Sequence, residues 1–456
     1  MMAHTMAMPT DADLTKLISL CHQRRMALPL IMEFPLRPID LLAWLSCQKS
    51  DQRYYLCDRE GQFEYAGIGL GYSLRGNRNQ SSVRQAANVM SILADSPLLF
   101  LCGRRFADSA AVDSAWAGFG SDVCLIPEWM ILRRGSEYSA RYCLSVAADS
   151  DIAELHRHVE SSSEMFPTSV ATSIHGVIPS SAASSQYPDI AAWRRHVDEI
   201  LRAIADRKVE KVVLARKTVY QFEDEIDPIS LFAALLPRHQ KSYAIFWQPV
   251  HDRACVSFSP ERLYRRSHTI VEIDALSSTV SRGRNAGEDA LLENQLRASN
   301  KQQREHRHVI DSVINALAPF CRRPASLSAT TVMKLDRVQH LWTRLTGELV
   351  DDADDDQILA ALHPTAAVGG APRQTALEMI RRLEPFDRGW YAGPIGYMTG
   401  NEVEFAVGIR SCLISGQTVS VFSGAGIVAG SDTETEWQEL DGKDILQPPI
   451  AGSRTT

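Results

Sequence analysis

Cysteine is scarce in this 456-residue chain and badly placed for either of its usual structural uses. The nine thiols are scattered, odd in number and nowhere spaced as C-x-x-C, which argues against a zinc site or a disulfide framework. Neighbours such as Phe100-Leu101 before Cys102 mark small buried thiols instead. Long apolar runs are missing as well: no window approaches the ~18 residues that a membrane helix needs. Residues Met1 to Thr10 lack the basic segment and apolar core of a signal peptide, so a reducing cytoplasm is the expected location. Positive charge is in deficit, with 48 Lys and Arg against 55 Asp and Glu and a net charge of −7. No footprint for nucleic acid or an anionic membrane is left, and an anionic substrate would have to be met by cations gathered locally. The run Gly67-Ile68-Gly69-Leu70-Gly71 has the wrong spacing for a dinucleotide loop and reads as strand and turn.

What is present sharpens along the chain. Residues 161–185 are rich in Ser and Ala and read as a surface linker, dividing the chain into 1–185 and 186–456. Before it, short β-like runs alternate with helical segments such as Ser82 to Ala94. After it, Pro188-Asp189 opens a helix whose apolar face is Ile190, Trp193, Val197, Ile200, Leu201 and Ile204. Strands are expected at Lys211–Ala215, Tyr243–Trp247, Ala254–Phe258, Glu404–Ile409 and Val419–Phe422, with one long helix over Asp289–Leu317 and a short acidic one over Asp432–Lys443. Strands and helices without regular βαβ alternation predict an α+β fold.

Several residues are candidates for chemistry. Lys211 heads an apolar strand, where a desolvated amine can act as a base, or its stem can snorkel to water. Glu261 follows Pro260 at a strand end and can be held protonated as an acid, or it can pair with Arg262, Arg265 or Arg266. Glu305 shares a helix face with Val309, Ser312, Val313 and Ala316, so it calls for a cation, either a metal or a basic side chain. Glu436, Glu439 and Lys443 share another face, either as a Mg²⁺ and carboxylate-binding group or as a solvated surface. The glycine-rich run Gly424–Gly430 reads as a turn whose backbone can approach an anion. His340, Tyr391 and Arg410 are weak signals singly, and burying Arg410 would require an anionic partner.

In order, these segments resemble the chorismate-utilising enzymes, which make isochorismate, salicylate, anthranilate and aminodeoxychorismate. The likeness rests on Lys-Val-Val-Leu-Ala-Arg (211–216), Ser-Pro-Glu-Arg-Leu (259–263), Arg-Glu-His (304–306) and Val-Gln-His-Leu (338–341). It continues through His-Pro-Thr-Ala-Ala-Val-Gly-Gly (363–370), Trp-Tyr-Ala-Gly (390–393), Gly-Ala-Gly-Ile-Val (424–428) and Glu-Trp-Gln-Glu (436–439). The resemblance implies a large α/β sandwich, two central sheets with helices outside. Residues 1–185 would form its variable half and 186–456 its chorismate-binding half. It implies Lys211 as the base that activates water, Glu261 as the general acid, and Glu305 and Glu439 as Mg²⁺ ligands with Glu436 nearby. Lys443, Arg410, Tyr391 and the Gly424 amide match positions that hold the two substrate carboxylates, and His340 one that lies against the substrate. Thr279 and Ala367 fall in the substrate-binding motifs. Water is favoured over ammonia as nucleophile by Lys211, and isochorismate over salicylate as product by Ala367, where salicylate and ammonia-using relatives carry threonine. A monomer is expected.

One position departs from the family. Leu276-Ser277-Ser278-Thr279 stands where relatives read Leu-Ala-Gly-Thr. Ser278 is expected at negative φ with its hydroxyl donated to a substrate carboxylate. A salicylate synthase, or a chorismate-binding protein weakened at Ser278, is the competing expectation.

Overall fold

The computed structural model describes residues 9–447 apart from 78, 108–112, 165–173, 175, 336 and 337. Its strands form two large sheets, twelve-stranded and ten-stranded, in which neighbouring strands run antiparallel. Alternation along the strands explains the layering, because successive side chains leave opposite faces of a sheet. Within Tyr243–Val250, Ile245 and Trp247 join one apolar cluster and Ala244 and Phe246 the other. The first cluster lies between the sheets, where Phe63 stacks on Tyr397 with ring centroids 4.2 Å apart. The second lies under the Leu41–Ser46 and Pro228–Leu235 helices on the outer face of the larger sheet. The α+β sandwich with helices outside is therefore the observed architecture.

Each sheet runs through both parts of the chain. Arg53–Cys57 pairs with Tyr243–Val250 in the larger sheet, and Phe100–Arg104 pairs with Pro394–Met398 in the smaller. Ala183–Tyr187, expected as the end of a linker, is a strand on Lys217–Gln221. All five of its residues are exposed, so nothing in its polar composition announced a strand, and the pairing is made by backbone alone. The middle of the expected linker falls outside the described residues.

Two further expectations are corrected. The single helix over Asp289–Leu317 is two, Ala286–Ala298 and Asn300–Leu317. Ser299 breaks it by taking extended backbone and accepting the Gln302 N–H on its side chain, the usual N-cap arrangement. The glycine-rich turn is mostly strand, since Thr418–Val428 carries Gly424 and Gly426 in register with Ala215 and Val213.

Candidate active site

All thirteen residues given a site role from the sequence line one pocket, which offers about 160 Å³ to the centres of water-sized spheres. Two chain crossings between the sheets build its base. Arg253–Ser259 belongs to the larger sheet and Arg262–Ser267 to the smaller, so Ser259-Pro260-Glu261 is the step between them. Glu402–Val407 and Ser411–Ser415 make the reverse crossing, and Arg410 sits in it at φ 50°.

Glu261 is buried, and its three neighbouring arginines are engaged elsewhere. Arg262 pairs with Glu404 and Glu60, Arg265 with Glu404, and Arg266 with Asp355. Burial pushes the Glu261 carboxyl up to about 8, against the pull of nearby Lys211 and with a further push from Asp274. Near neutrality it is therefore largely the neutral acid.

Lys211 Nζ lies 3.2 Å from Glu305 Oε1. Its stem fits because Gly426 has no side chain: a Cβ there would stand 2.8 Å from Lys211 Cε. Gly424 plays the same part for Tyr391, whose hydroxyl would meet a Cβ at 2.7 Å. These glycines make room beside a strand rather than turn the chain. Past Phe422 the Thr418–Val428 strand has lost its Ser411–Ser415 neighbour, which leaves that edge of Gly424 without a strand partner. Tyr391 stacks on Phe422 at 5.2 Å, and burial raises its phenol to about 12, so it is a donor.

Lys443 caps the Thr433–Gly442 helix and reaches Glu439 Oε1 at 2.5 Å and the Gly424 carbonyl at 2.7 Å. Arg410 donates to the Gly442 carbonyl at 3.3 Å. His340, on Val338–Glu348, has Nδ1 3.1 Å from Thr279 Oγ1. Burial, then Arg410 and Lys443, hold its pKa well below the ordinary histidine value, so the ring is neutral. Ala367 lies in the loop before Gly370, beside Val368.

Ser278 overturns its expectation. The Ile270–Ser281 strand carries a bulge against Val338–Glu348, where Ser277 faces Leu341 and Thr279 faces His340. Ser278 is the extra residue, with φ at 58°, the left-handed conformation that glycine takes without strain. Its hydroxyl is turned to the Asn300–Leu317 helix, donating to the Gln302 carbonyl at 3.0 Å and reaching Glu305 at 3.3 Å. Ser277 acts alongside it: its Oγ is 2.8 Å from His306 Nδ1, and His306 Nε2 is 2.8 Å from Thr343 Oγ1. Sequence reasoning missed His306 and Gln302 and placed exposed Ser312 on the buried face. Gln302, three residues before Glu305, was within reach of the same helical spacing.

The oxygen donors in the pocket suit a hard cation. Among the described residues no three His, Cys, Asp or Glu side chains converge into a protein-only cage. Glu305, Glu436 and Glu439 nonetheless line one cavity, and Mg²⁺ is commonly held by one or two carboxylates, water and substrate oxygens.

A family model described as chorismate binding enzyme matches residues 16–447. Isochorismate synthase 2, chloroplastic, of Arabidopsis thaliana is 35% identical over 74% of this chain, which spans 61% of that protein's length. Isochorismate synthase MenF of Escherichia coli is 31% identical over 92% of both chains. The solved structure titled as the menaquinone-specific isochorismate synthase from Escherichia coli superposes with a TM-score of 0.82, covering 95% of this chain and all of that one at 27% identity.

Proposed function

We propose that this chain, which belongs to the chorismate-binding enzyme family, is an isochorismate synthase that adds water to chorismate at C2 and expels the C4 hydroxyl. The observation that carries the reading is a neutral buried acid, Glu261, in the same pocket as Lys211, with Arg410 and Lys443 also on its lining. Chorismate is a dianion, and hydroxide is a poor leaving group. With Lys211 as the base, water gives up a proton as its oxygen bonds to C2. The ring double bonds shift, and the C4–O bond breaks as Glu261 gives its proton to the departing hydroxyl, which leaves as water. One water enters, one leaves, and the product is an isomer of the substrate. Arg410, Lys443, the Tyr391 hydroxyl and the Gly424 amide are suited to the two carboxylates, with neutral His340, Thr279 and Ala367 lining the ring's position and Ser278 acting through the helix that carries Glu305.

Glu305 and Glu439 would hold Mg²⁺, which when bound supplies Lewis-acid stabilisation of charge on the ring carboxylate. The cytoplasm is the proposed location, supported by nine free thiols, and no helix among the described residues is long and apolar enough to cross a membrane. A monomer is the proposed state, and sedimentation would test it.

The test is incubation with chorismate and Mg²⁺ followed by chromatography. Isochorismate without pyruvate is the expected outcome; release of salicylate and pyruvate would replace this reading with a salicylate synthase. EDTA should abolish turnover and Mg²⁺ restore it, with Glu439→Gln raising the Mg²⁺ requirement; full activity in metal-free buffer would remove the metal from the reading.

A further inference from the structure

The Lys211–Gln221 strand is incompletely paired on one edge. Its other edge is matched to Thr418–Val428 along its whole length. On the incomplete edge, Lys211 and Val212 pair with Gly370–Ala371, and Lys217 to Gln221 pair with Ala183–Tyr187. Residues 213–216 fall in the gap. A buried backbone cannot leave such groups unsatisfied without cost, and here two side chains fill the place. Glu384 Oε1 accepts the Ala215 N–H at 2.7 Å, and Arg388 Nη2 donates to the Val213 carbonyl at 2.7 Å. The Gly369 carbonyl takes the Val213 N–H at 2.9 Å.

The two side chains are also bound to each other. Arg388 Nε meets Glu384 Oε2 at 2.8 Å and Nη2 meets Oε1 at 2.5 Å, with the side chains 3% and 2% exposed. The fork of Arg388 has further uses. Nη1 donates to the Val368 carbonyl at 2.9 Å, and the guanidinium lies 4.2 Å over the Phe106 ring and 5.5 Å from that of Tyr391. The Tyr391 N–H returns to the Arg388 carbonyl at 3.0 Å. Neither Glu384 nor Arg388 lines the pocket, but Val213, Val368 and Tyr391, which they hold, all do.

We infer that the Glu384–Arg388 pair is a positioning element: it stands in for a missing strand segment and fixes the Lys211 strand, the Ala367–Val368 loop and Tyr391 at one spacing. Arginine suits this because its planar fork serves several acceptors at once, which a lysine ammonium does not reproduce. Glutamate supplies the acceptor for Ala215 and the neutralising charge together. The inference rests on the pocket being the chorismate site, and displacement of a reacting group by about 1 Å can cost roughly 100-fold in rate.

Arg388→Lys and the isosteric Glu384→Gln, made in the full chain, test it at a temperature where both are folded. Hydrogen exchange over residues 211–216 should quicken at least tenfold in each variant. With chorismate and Mg²⁺, kcat should fall roughly 10- to 100-fold while KM moves less than about threefold, the mark of a misplaced reacting group rather than lost binding. Faster exchange with unchanged kcat would make the pair a structural filler and overturn the inference, as would unchanged exchange. If neither variant folds, the pair is a folding element and the positioning role is likewise overturned. A wild-type protein that leaves chorismate untouched would overturn the chorismate reading while leaving the exchange result standing.

Discussion

At the scale of single residues, Glu261 gives the clearest pH signature. Burial raises its carboxyl to about 8 in the folded chain, against an unfolded value near 4.3. Between those values the folded state binds more protons than the unfolded one, so this group's contribution to stability is complete below the unfolded pKa. It is lost as pH rises through the folded pKa. Two results follow. The rate should decline above pH ~8 as the acid ionises. Glu261→Gln should lose roughly 10²- to 10⁴-fold in kcat yet gain melting temperature relative to wild type as pH rises from about 4.3 to about 8, the gap levelling off above that; a gap independent of pH would contradict the burial argument. Ser278 separates strain from bonding. Ser278→Ala keeps the left-handed backbone and loses the hydrogen bond to Gln302, costing roughly 0.5–1.5 kcal/mol. Ser278→Gly also loses the bond but relieves roughly 1–2 kcal/mol of left-handed strain. Glycine should therefore be the more stable of the two variants in urea, and equal stabilities would mean the bulge relaxes without it. The identity of the departure was legible in the sequence. Its geometry was not, because a two-against-one bulge depends on which residues of the partner strand it meets.

Among elements, the Asn300–Leu317 helix shows what periodicity reads well and what it leaves out. Val309 and Val313 are buried as the spacing of Glu305 requires. His306, polar and one residue off that face, is nonetheless 1% exposed, since both ring nitrogens find hydroxyl partners on neighbouring strands. Hydropathy carries no sign of such a partner. Burial drives the His306 pKa down to about 4, so the bridge is made by a neutral ring. Ser277→Ala should leave buried Nδ1 unsatisfied, at roughly 1–3 kcal/mol, and loosen the helix against the Ile270–Ser281 strand. Exchange at Gln302–Val309 amides would read this directly, and protection equal to wild type would show that apolar packing alone holds the helix.

For the molecule as a whole, the α+β class was legible, and the residues that meet in one pocket could be named, because each motif lies within one short segment. The continuity of both sheets across the chain was not, because pairing between distant edge strands leaves no local pattern. Residues 186–456 alone would expose the Tyr243–Val250 edge that Arg53–Cys57 covers and the Pro394–Met398 edge that Phe100–Arg104 covers. Long uncovered edges of this kind recruit other chains. That fragment should therefore be insoluble or aggregated by light scattering, and a soluble, chorismate-converting fragment would show that the larger part closes on its own. The pairing of Lys211 with Val428 has a consequence in time. On a ribosome adding ~5–20 residues per second, the strand with the proposed base emerges roughly 10–40 s before its partner exists. Until then the edge that Thr418–Val428 covers is bare and the amine has no complete pocket. Vectorial synthesis thus delays the site until the Thr418–Val428 strand has been made, and the nascent strand is a segment for a holding chaperone to cover.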